Sequence, residues 1–160
     1  MNDSAEGQNR ERIVWLIRHA KAADAEHGQR DIDRPLTRRG ERQCAEMTDW
    51  RDKRMSGVAE PTALVSPAAR ARRTAELALG DEFVAIREEQ RIWDATAAVL
   101  AALVEEHAGD LVLVGHNPGL EQVQCALTGQ LMPLSTGGIF ELEFGDQGRV
   151  RLAARFEPEA

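Results

Sequence analysis

Two stretches of the chain are apolar at every position and then stop abruptly at polar residues. Residues 13–17 read IVWLI and lead straight into Arg18 and His19, while residues 111–114 read LVLV and lead into GHNP. A shorter run, ALV at 63–65, leads into a Ser-Pro pair. Continuous apolar runs of this length are typical of strands that are covered on both faces of a sheet. We therefore predict three buried strands, each followed by polar residues at its carboxyl end.

Apolar residues recur at helical spacing between these strands, as in amphipathic helices that pack on a sheet. Thr37 is suited to cap the first helix, and Ser66 to cap the second with Pro67 at the first helical position. A short apolar piece, FVAI at 83–86, favours one more strand. We predict four helices, over residues 37–53, 66–80, 95–107 and 119–129.

The pattern changes near the end of the chain, where apolar and polar residues alternate in IFELEF and again in RVRLAARF, with GDQG between them. Alternation on both sides of a turn indicates an antiparallel hairpin with one wet face. The order of elements is βαβαβαβαββ, which favours a three-layer α/β/α sandwich with a mostly parallel central sheet and an antiparallel C-terminal hairpin. We expect residues 1–11 to form a polar tail and residues 12–160 to form one domain.

Composition narrows the classes of function. The 160 residues carry a net charge of −7, which argues against a general nucleic-acid binder, since such proteins present a basic face to phosphates. The sequence shows no signal-peptide pattern and no apolar segment long enough to span a bilayer, so we expect a cytoplasmic protein with no membrane partner. Cys44 and Cys125 fit two small buried thiols, and Trp15, Trp50 and Trp93 fit core or core-edge positions.

The polar residues at the strand ends form the candidate site. The carboxyl ends of parallel strands meet at one crevice, so Arg18 and His19 should approach Arg70, on the second helix, and His116 in GHNP. Two arginines and two histidines suit an anion with several oxygens, of which phosphate is the obvious candidate. The chain has no carboxylate cluster for Mg²⁺ and no phosphate-binding glycine loop, so we expect no metal and no cofactor. A neutral histidine can then serve as the nucleophile.

Four motifs, taken together and in order, match a known family. They are RHA at 18–20, RPLT at 34–37, SPAARARRT at 66–74 and GHNP at 115–118. The set resembles the histidine phosphatase superfamily and, within it, the small phosphohistidine phosphatases of the SixA type. The likeness extends from about Ile13 to the final hairpin, where STGGIFELEF is similar to that branch.

The resemblance implies a role for each candidate residue. His19 is the nucleophile that becomes phosphorylated, and His116 donates to the transferring group from the other side. Arg18 and Arg70 hold phosphate oxygens. Arg34, in RPLT, stands where this branch has a further arginine near the phosphate.

Three positions stay open at the level of sequence. Asp94, in RIWDAT, stands where larger relatives supply an acid, so it is either the general acid or simply the N-cap of the third helix. Arg34 either binds phosphate or pairs with the neighbouring Asp31 and Asp33. Lys21 either lines the mouth of the pocket or is solvated.

We therefore expect a metal-independent phosphatase that works through a phosphohistidine intermediate. The resemblance implies that the substrate is a phosphohistidine on a partner protein, and the chain has little length to spare for a lid. A small-molecule phosphatase acting on a sugar or nucleotide phosphate is the alternative among enzymes. A non-catalytic module that binds phosphorylated ligands is the alternative from a different class.

Overall fold

The computed structural model describes residues 12–58, 60–80 and 85–160. The polar tail predicted over residues 1–11 lies outside the described residues. The strands are β1 Arg12–Arg18, β2 Thr62–Val65, β3 Ala85–Glu88, β4 Leu111–Gly115, β5 Ile139–Phe144 and β6 Val150–Phe156. The helices are α1 Arg38–Arg54, α2 Ala69–Ala78, α3 Ala97–Glu106 and α4 Gly119–Thr128. Within the described ranges, no helix combines the length and the apolar character needed to cross a bilayer.

The strands form a single mixed sheet in the order β3-β2-β4-β1-β5-β6. The first four strands of that order are parallel, and β5 and β6 complete the sheet in antiparallel pairing. Side chains on both faces of β1 and β4 are buried, which explains why their sequences read as continuous apolar runs. The predicted α/β fold, with its mostly parallel sheet and C-terminal hairpin, is confirmed.

Helices cover both faces of the sheet because side chains alternate along each strand. Trp15 and Ile17 of β1 pack in one core with buried residues of α1 and α2. Val14 and Leu16 pack in a second core with buried residues of α3 and α4. All four of these side chains are at most 1% exposed, so β1 is held rigidly on both sides up to its carboxyl end.

The start of one helix differs from the prediction. Thr37 caps α1 as predicted and accepts the backbone N–H three residues further on at 3.0 Å. The prediction that Ser66 caps the second helix, with Pro67 in its first turn, is wrong, because α2 begins at Ala69. The Ser66 hydroxyl accepts the N–H of Ala68, the residue before the helix, at 3.2 Å and lies 2.7 Å from His116 Nε2 across the sheet edge.

Two further predicted boundaries shift. Asp94 is not the N-cap of α3, because Thr96 holds that position and accepts the Val99 N–H at 3.3 Å. The strand predicted over residues 83–86 is observed at Ala85–Glu88, and residues 83 and 84 lie outside the described residues. This strand is at the edge of the sheet and largely exposed, which explains its weak apolar pattern.

Candidate active site

The carboxyl end of β1 carries two of the predicted site residues. Arg18 is the last residue of the strand, and its Nη1 donates to the Leu134 carbonyl at 2.9 Å. Its Nε is buried without a hydrogen-bond partner among the described residues. His19 follows and is 8% exposed. The backbone N–H groups of this pair donate to Gly138 at 3.0 Å and Gly115 at 3.1 Å, which fixes both residues relative to β4 and β5.

The ring of His19 is held in one protonation state. Its Nδ1 lies 2.8 Å from the Ala20 carbonyl oxygen, which can only accept, so Nδ1 carries the proton and Nε2 keeps a lone pair. Arg70 Nε donates toward that Nε2 at 3.3 Å. Burial, opposed by the bond to Ala20 and reinforced by the second histidine and the neighbouring cations, lowers the pKa of His19 to about 3. The imidazole is therefore neutral near pH 7.

Arg70 reaches the site from the first turn of α2. It is 5% exposed, and its two terminal nitrogens donate to the backbone oxygen and the carboxylate of Asp31 at 2.8 and 3.2 Å. Thr74 ties this helix to the end of β1, since its hydroxyl donates to the Arg70 carbonyl at 2.7 Å and accepts the Ala20 N–H at 2.9 Å. The guanidinium is thus braced on one side by a carboxylate and directed on the other at His19.

His116 follows β4, and the centroid of its ring lies 5.2 Å from that of His19. Its Nε2 lies 2.7 Å from Ser66 Oγ, whereas its buried Nδ1 has no partner among the described residues. Burial, and then the nearby arginines, lower the pKa of His116 to about 4. Trp93, predicted as a core-edge residue, also reaches the site, with its ring 5.3 Å from that of His116 and 5.4 Å from the Arg70 guanidinium carbon.

A loop carboxylate links two of the arginines. Asp31 accepts from Arg70 on one side, and on the other it lies 2.8 Å from the Nε of Arg34. The pairing alternative for Arg34 is therefore observed, with Asp31 as the partner, whereas Asp33 pairs with Arg30. Desolvation raises the pKa of Asp31, but the two guanidinium groups outweigh it and lower that pKa below its usual range.

A cavity of about 210 Å³ opens at this end of the sheet. Asp94 is one of the residues that line it. Asp94 is exposed, and its backbone φ of 56° lies in the left-handed region. Lys21 is exposed and does not line this cavity, and Arg18 and His19 lie beside Arg70 and His116 without being among its walls. A larger hollow of about 710 Å³ lies at the β5–β6 turn but contacts none of the candidate residues, so size alone does not locate the site. The walls of the smaller cavity are Asp31, Arg70, Trp93, Asp94, Ala95, His116, Asn117, Pro118 and Gly119.

A loop before β5 supports the site in a way that the sequence pattern did not reveal. The Leu134 carbonyl accepts from Arg18 and from Asn117 Nδ2, both at 2.9 Å, and the Leu134 N–H donates to Glu121 at 2.8 Å. The Gly137 N–H donates to the Arg18 carbonyl at 3.1 Å. The GHNP motif contains Asn117, but its partner is 17 residues away in the chain and only the fold brings the two together.

The charge of the site comes from arginines. In the part of the chain that the structure describes, no group of three or more His, Cys, Asp or Glu side chains is placed to hold a metal ion. Two neutral histidines lie with arginines beside them at the carboxyl ends of parallel strands, an arrangement whose charge suits an anion.

The chain belongs to the histidine phosphatase superfamily. The family model for branch 1 of this superfamily matches residues 14–97, a range that starts within β1 and continues through α1, β2, α2 and β3 to the first residue of α3. The protein is therefore a hydrolase of the phosphatase class with a histidine nucleophile and a phosphate-bearing substrate, which confirms the expectation drawn from the four motifs. No protein with a curated description matches the chain.

Solved structures of the SixA type are similar to the chain. A protein from Agrobacterium tumefaciens, assigned as the phosphohistidine phosphatase SixA, is 28% identical with a TM-score of 0.82, over 92% of this chain and 98% of that one. A Nakamurella protein with the same assignment is 23% identical, with a TM-score of 0.79, over 93% and 97% of the two chains. The protein histidine phosphatase SixA complexed with tungstate is 24% identical, with a TM-score of 0.71, over 91% and 97%. The last two likenesses support the fold alone.

Proposed function

We propose that this protein is a metal-independent phosphatase in which His19 is the nucleophile and carries a covalent phosphoryl group. The observation that supports this most directly is the state of the His19 ring, whose Nδ1–H bond to Ala20 leaves the Nε2 lone pair beside Arg70. With a pKa near 3, the imidazole is unprotonated at neutral pH and is able to attack phosphorus. The adjacent guanidinium groups oppose a divalent metal ion and favour an anion in the same place.

The reaction then has two displacement steps. His19 Nε2 attacks phosphorus, the Nε2–P bond forms, and the bond from phosphorus to the leaving group breaks. Arg18 and Arg70 stabilise the negative charge on the equatorial oxygens, and His116 donates a hydrogen bond to one of them. Water then attacks the phosphoryl group, the Nε2–P bond breaks, and inorganic phosphate leaves with His19 restored.

The leaving group needs a proton, and we assign Asp94 as its donor. In the second step the attacking water gives a proton back to Asp94, so the acid is restored together with His19. Asp94 lines the same cavity as Arg70 and His116, and its alternative role as a helix N-cap is taken by Thr96. Asp94→Asn should lower kcat for an alkyl phosphate by about 10²-fold, the usual contribution of a general acid. An aryl phosphate, whose leaving group departs without protonation, should lose much less. Equal losses for both substrates would remove Asp94 from this role.

The substrate class that the site favours is a phosphohistidine on a partner protein. Pockets that enclose a whole small molecule usually measure about 300–1,000 Å³. The cavity here is smaller, at about 210 Å³, so it suits a phosphoryl group with part of its leaving group while the rest stays outside. The Agrobacterium protein, at 28% identity, carries an assignment to this substrate class.

The mechanism is tested by trapping the intermediate. The protein is mixed with an aryl phosphate in the presence of EDTA, quenched in alkali and analysed by mass spectrometry for a phosphoryl group on His19 that is lost in acid. We expect turnover and a labelled His19 in the wild type, and neither in His19→Ala. His27→Ala, in an exposed loop, is the matched control and should behave as wild type. Full turnover in His19→Ala would contradict the mechanism, and phosphate binding without turnover in the wild type would favour the binding module.

The substrate class is tested separately by comparing kcat/KM for a phosphohistidine-bearing protein domain with values for a panel of sugar and nucleotide phosphates. We expect the protein substrate to be preferred by at least about 10²-fold, because its contacts outside the small cavity add to transition-state binding. A sugar or nucleotide phosphate that matches or exceeds it would assign the enzyme to small molecules.

A further inference from the structure

Ser66 is the buried polar residue for which the predicted role failed. It lies between β2 and α2, it is 0% exposed, and it does not cap the helix that follows. Its Oγ accepts the Ala68 N–H at 3.2 Å and lies 2.7 Å from Nε2 of His116. The hydroxyl therefore has one donor directed at it, and one ring nitrogen within reach of its own proton.

Counting protons assigns the direction of the short bond. A buried hydroxyl proton that finds no acceptor costs about 1–3 kcal/mol. Among the described residues, the group within reach that can accept the Ser66 proton is His116 Nε2. If Nε2 carried a hydrogen, the two protons would face each other or the hydroxyl proton would be left without an acceptor. The favourable arrangement has Ser66 donating to an unprotonated Nε2.

We infer that Ser66 is a positioning residue that fixes His116 in the Nδ1–H tautomer, so that this buried and otherwise unpartnered N–H is presented to an oxygen of the substrate phosphate. This rests on the proposed function, in which His116 donates to the transferring phosphoryl group. The protein thereby holds both histidines in the same tautomer by different means, since a carbonyl accepts from Nδ1 of His19 and a hydroxyl donates to Nε2 of His116.

The consequence is a neutral donor that needs no extra proton. Burial keeps His116 uncharged near pH 7, with a pKa of about 4, so its hydrogen-bond donor comes from its tautomer and not from protonation. If the ring were free to change tautomer, it would turn a lone pair toward the phosphate oxygens for part of the time, and the two lone pairs would repel.

The experiment measures the tautomer directly. Protein labelled with ¹⁵N-histidine is studied by two-bond ¹H–¹⁵N correlation at about pH 7.5, where the two neutral tautomers give distinct nitrogen shifts. His116 is assigned by comparison with His116→Gln. The variants are Ser66→Ala, which removes the donor, and Ser66→Thr, which keeps a hydroxyl. The matched control is Thr48→Ala, which removes a hydrogen-bonded hydroxyl away from the site, on α1.

We expect one Nδ1–H tautomer for His116 in the wild type, Ser66→Thr and Thr48→Ala, and a mixture or the Nε2–H form in Ser66→Ala. The affinity of Ser66→Ala for inorganic phosphate should fall about tenfold, the equivalent of one hydrogen bond, while Thr48→Ala stays within about twofold of wild type. A wild-type spectrum dominated by Nε2–H, or a tautomer unchanged in Ser66→Ala, would overturn the inference. The tautomer and the phosphate affinity are both measured without turnover. A failure of the proposed His19 mechanism, which the His19→Ala experiment would show, can therefore be told apart from a failure of this inference.

Discussion

The strand β1 has an arginine at each end, and the two are used in opposite ways. Arg12, at the amino end, donates to the carbonyl oxygens of Val104 at 2.7 Å and Gly109 at 3.4 Å, as well as to that of His107 between them. It therefore binds one carbonyl in the last turn of α3 and two in the segment that follows, and its guanidinium carbon also lies 4.8 Å from the Phe144 ring centroid.

Arg18, at the carboxyl end, makes a single side-chain bond, to Leu134, and leaves a buried Nε unpartnered among the described residues. An unmet buried donor destabilises the fold unless a ligand completes it. Arg12 is therefore a structural residue, because the chain supplies acceptors for its guanidinium. Arg18 is a candidate binding residue, because one of its buried donors has no acceptor among the described residues. This difference follows the direction of the parallel strands, whose carboxyl ends form the crevice.

Arg18→Ala carries the largest effect that we expect from this comparison. Removing one preorganised donor to a developing oxyanion lowers activity by about 10²–10³-fold, so kcat/KM for an aryl phosphate should fall by that factor. The free energy of unfolding should stay the same or rise, because a buried and incompletely paired cation is lost. Steady-state kinetics and urea unfolding check the two halves. An active but unstable variant would assign Arg18 a structural role like that of Arg12.

The pH dependence of stability tests the burial of the two site histidines. Their pKa values, about 3 for His19 and about 4 for His116, lie below the unfolded value of 6.5, so between pH 6.5 and about pH 4 only the unfolded chain takes up these protons. Stability should therefore fall as the pH falls through this window, by at most about 1.4 kcal/mol per pH unit for each ring. The loss ends where the folded protein also becomes protonated.

We propose urea unfolding of the wild type, of His19→Asn, of His116→Asn and of the double variant at several pH values between about 4.5 and 7.5. The slope of the free energy of unfolding against pH is compared, and the difference between wild type and variant is the contribution of the replaced rings. Each single variant should remove part of the slope, and the double variant should remove the sum. Parallel curves for wild type and double variant would show that these rings titrate alike in the folded and unfolded states.

Arg12→Ala should lower the free energy of unfolding by about 1–2 kcal/mol, since it removes charged hydrogen bonds to carbonyls in the last turn of α3 and just after it. Its kcat/KM should remain within about twofold of wild type, because the site lies at the other end of β1. Arg12→Lys, which keeps the charge but not the forked donor, should fall between the two in stability. A loss of activity without a loss of stability would reverse the roles that we give to the two ends of the strand.

The smallest expected effect comes from Asp31→Asn. Asp31 places a negative charge against Arg70 and Arg34, and its side chain is 60% exposed, so its removal should strengthen binding of inorganic phosphate by about two- to fivefold, within the range of exposed ion pairs. Isothermal titration calorimetry measures the affinity for phosphate. The control is Asp33→Asn, because the Asp33 side chain pairs, among the described residues, with Arg30 only. Weaker phosphate binding would mean that Asp31 serves chiefly to orient Arg70.

The elements that were predicted correctly are those whose structure depends on local sequence pattern. The continuous runs that became β1 and β4, and the Thr37 cap of α1, depend on local pattern, and all are observed. The predicted Ser66 cap failed because a hydroxyl near a helix start can also bond to a distant ring. Of the two alternatives for Asp94, the helix cap is not observed, because Asp94 has a φ of 56° whereas an N-cap needs extended backbone, which Thr96 provides.

Strand direction and the order of the motifs bring Arg18, His19, Arg70 and His116 to the carboxyl end of the sheet whatever the details of packing, so this grouping is predictable without a structure. The arrangement of protons and charges among these residues follows from contacts that exist only in the folded chain. Whether a nitrogen carries a proton, and whether a guanidinium is already satisfied, depends on a partner about 3 Å away. The partners that matter here, Ser66 for His116 and Leu134 for Arg18, are 50 and 116 residues distant in the chain.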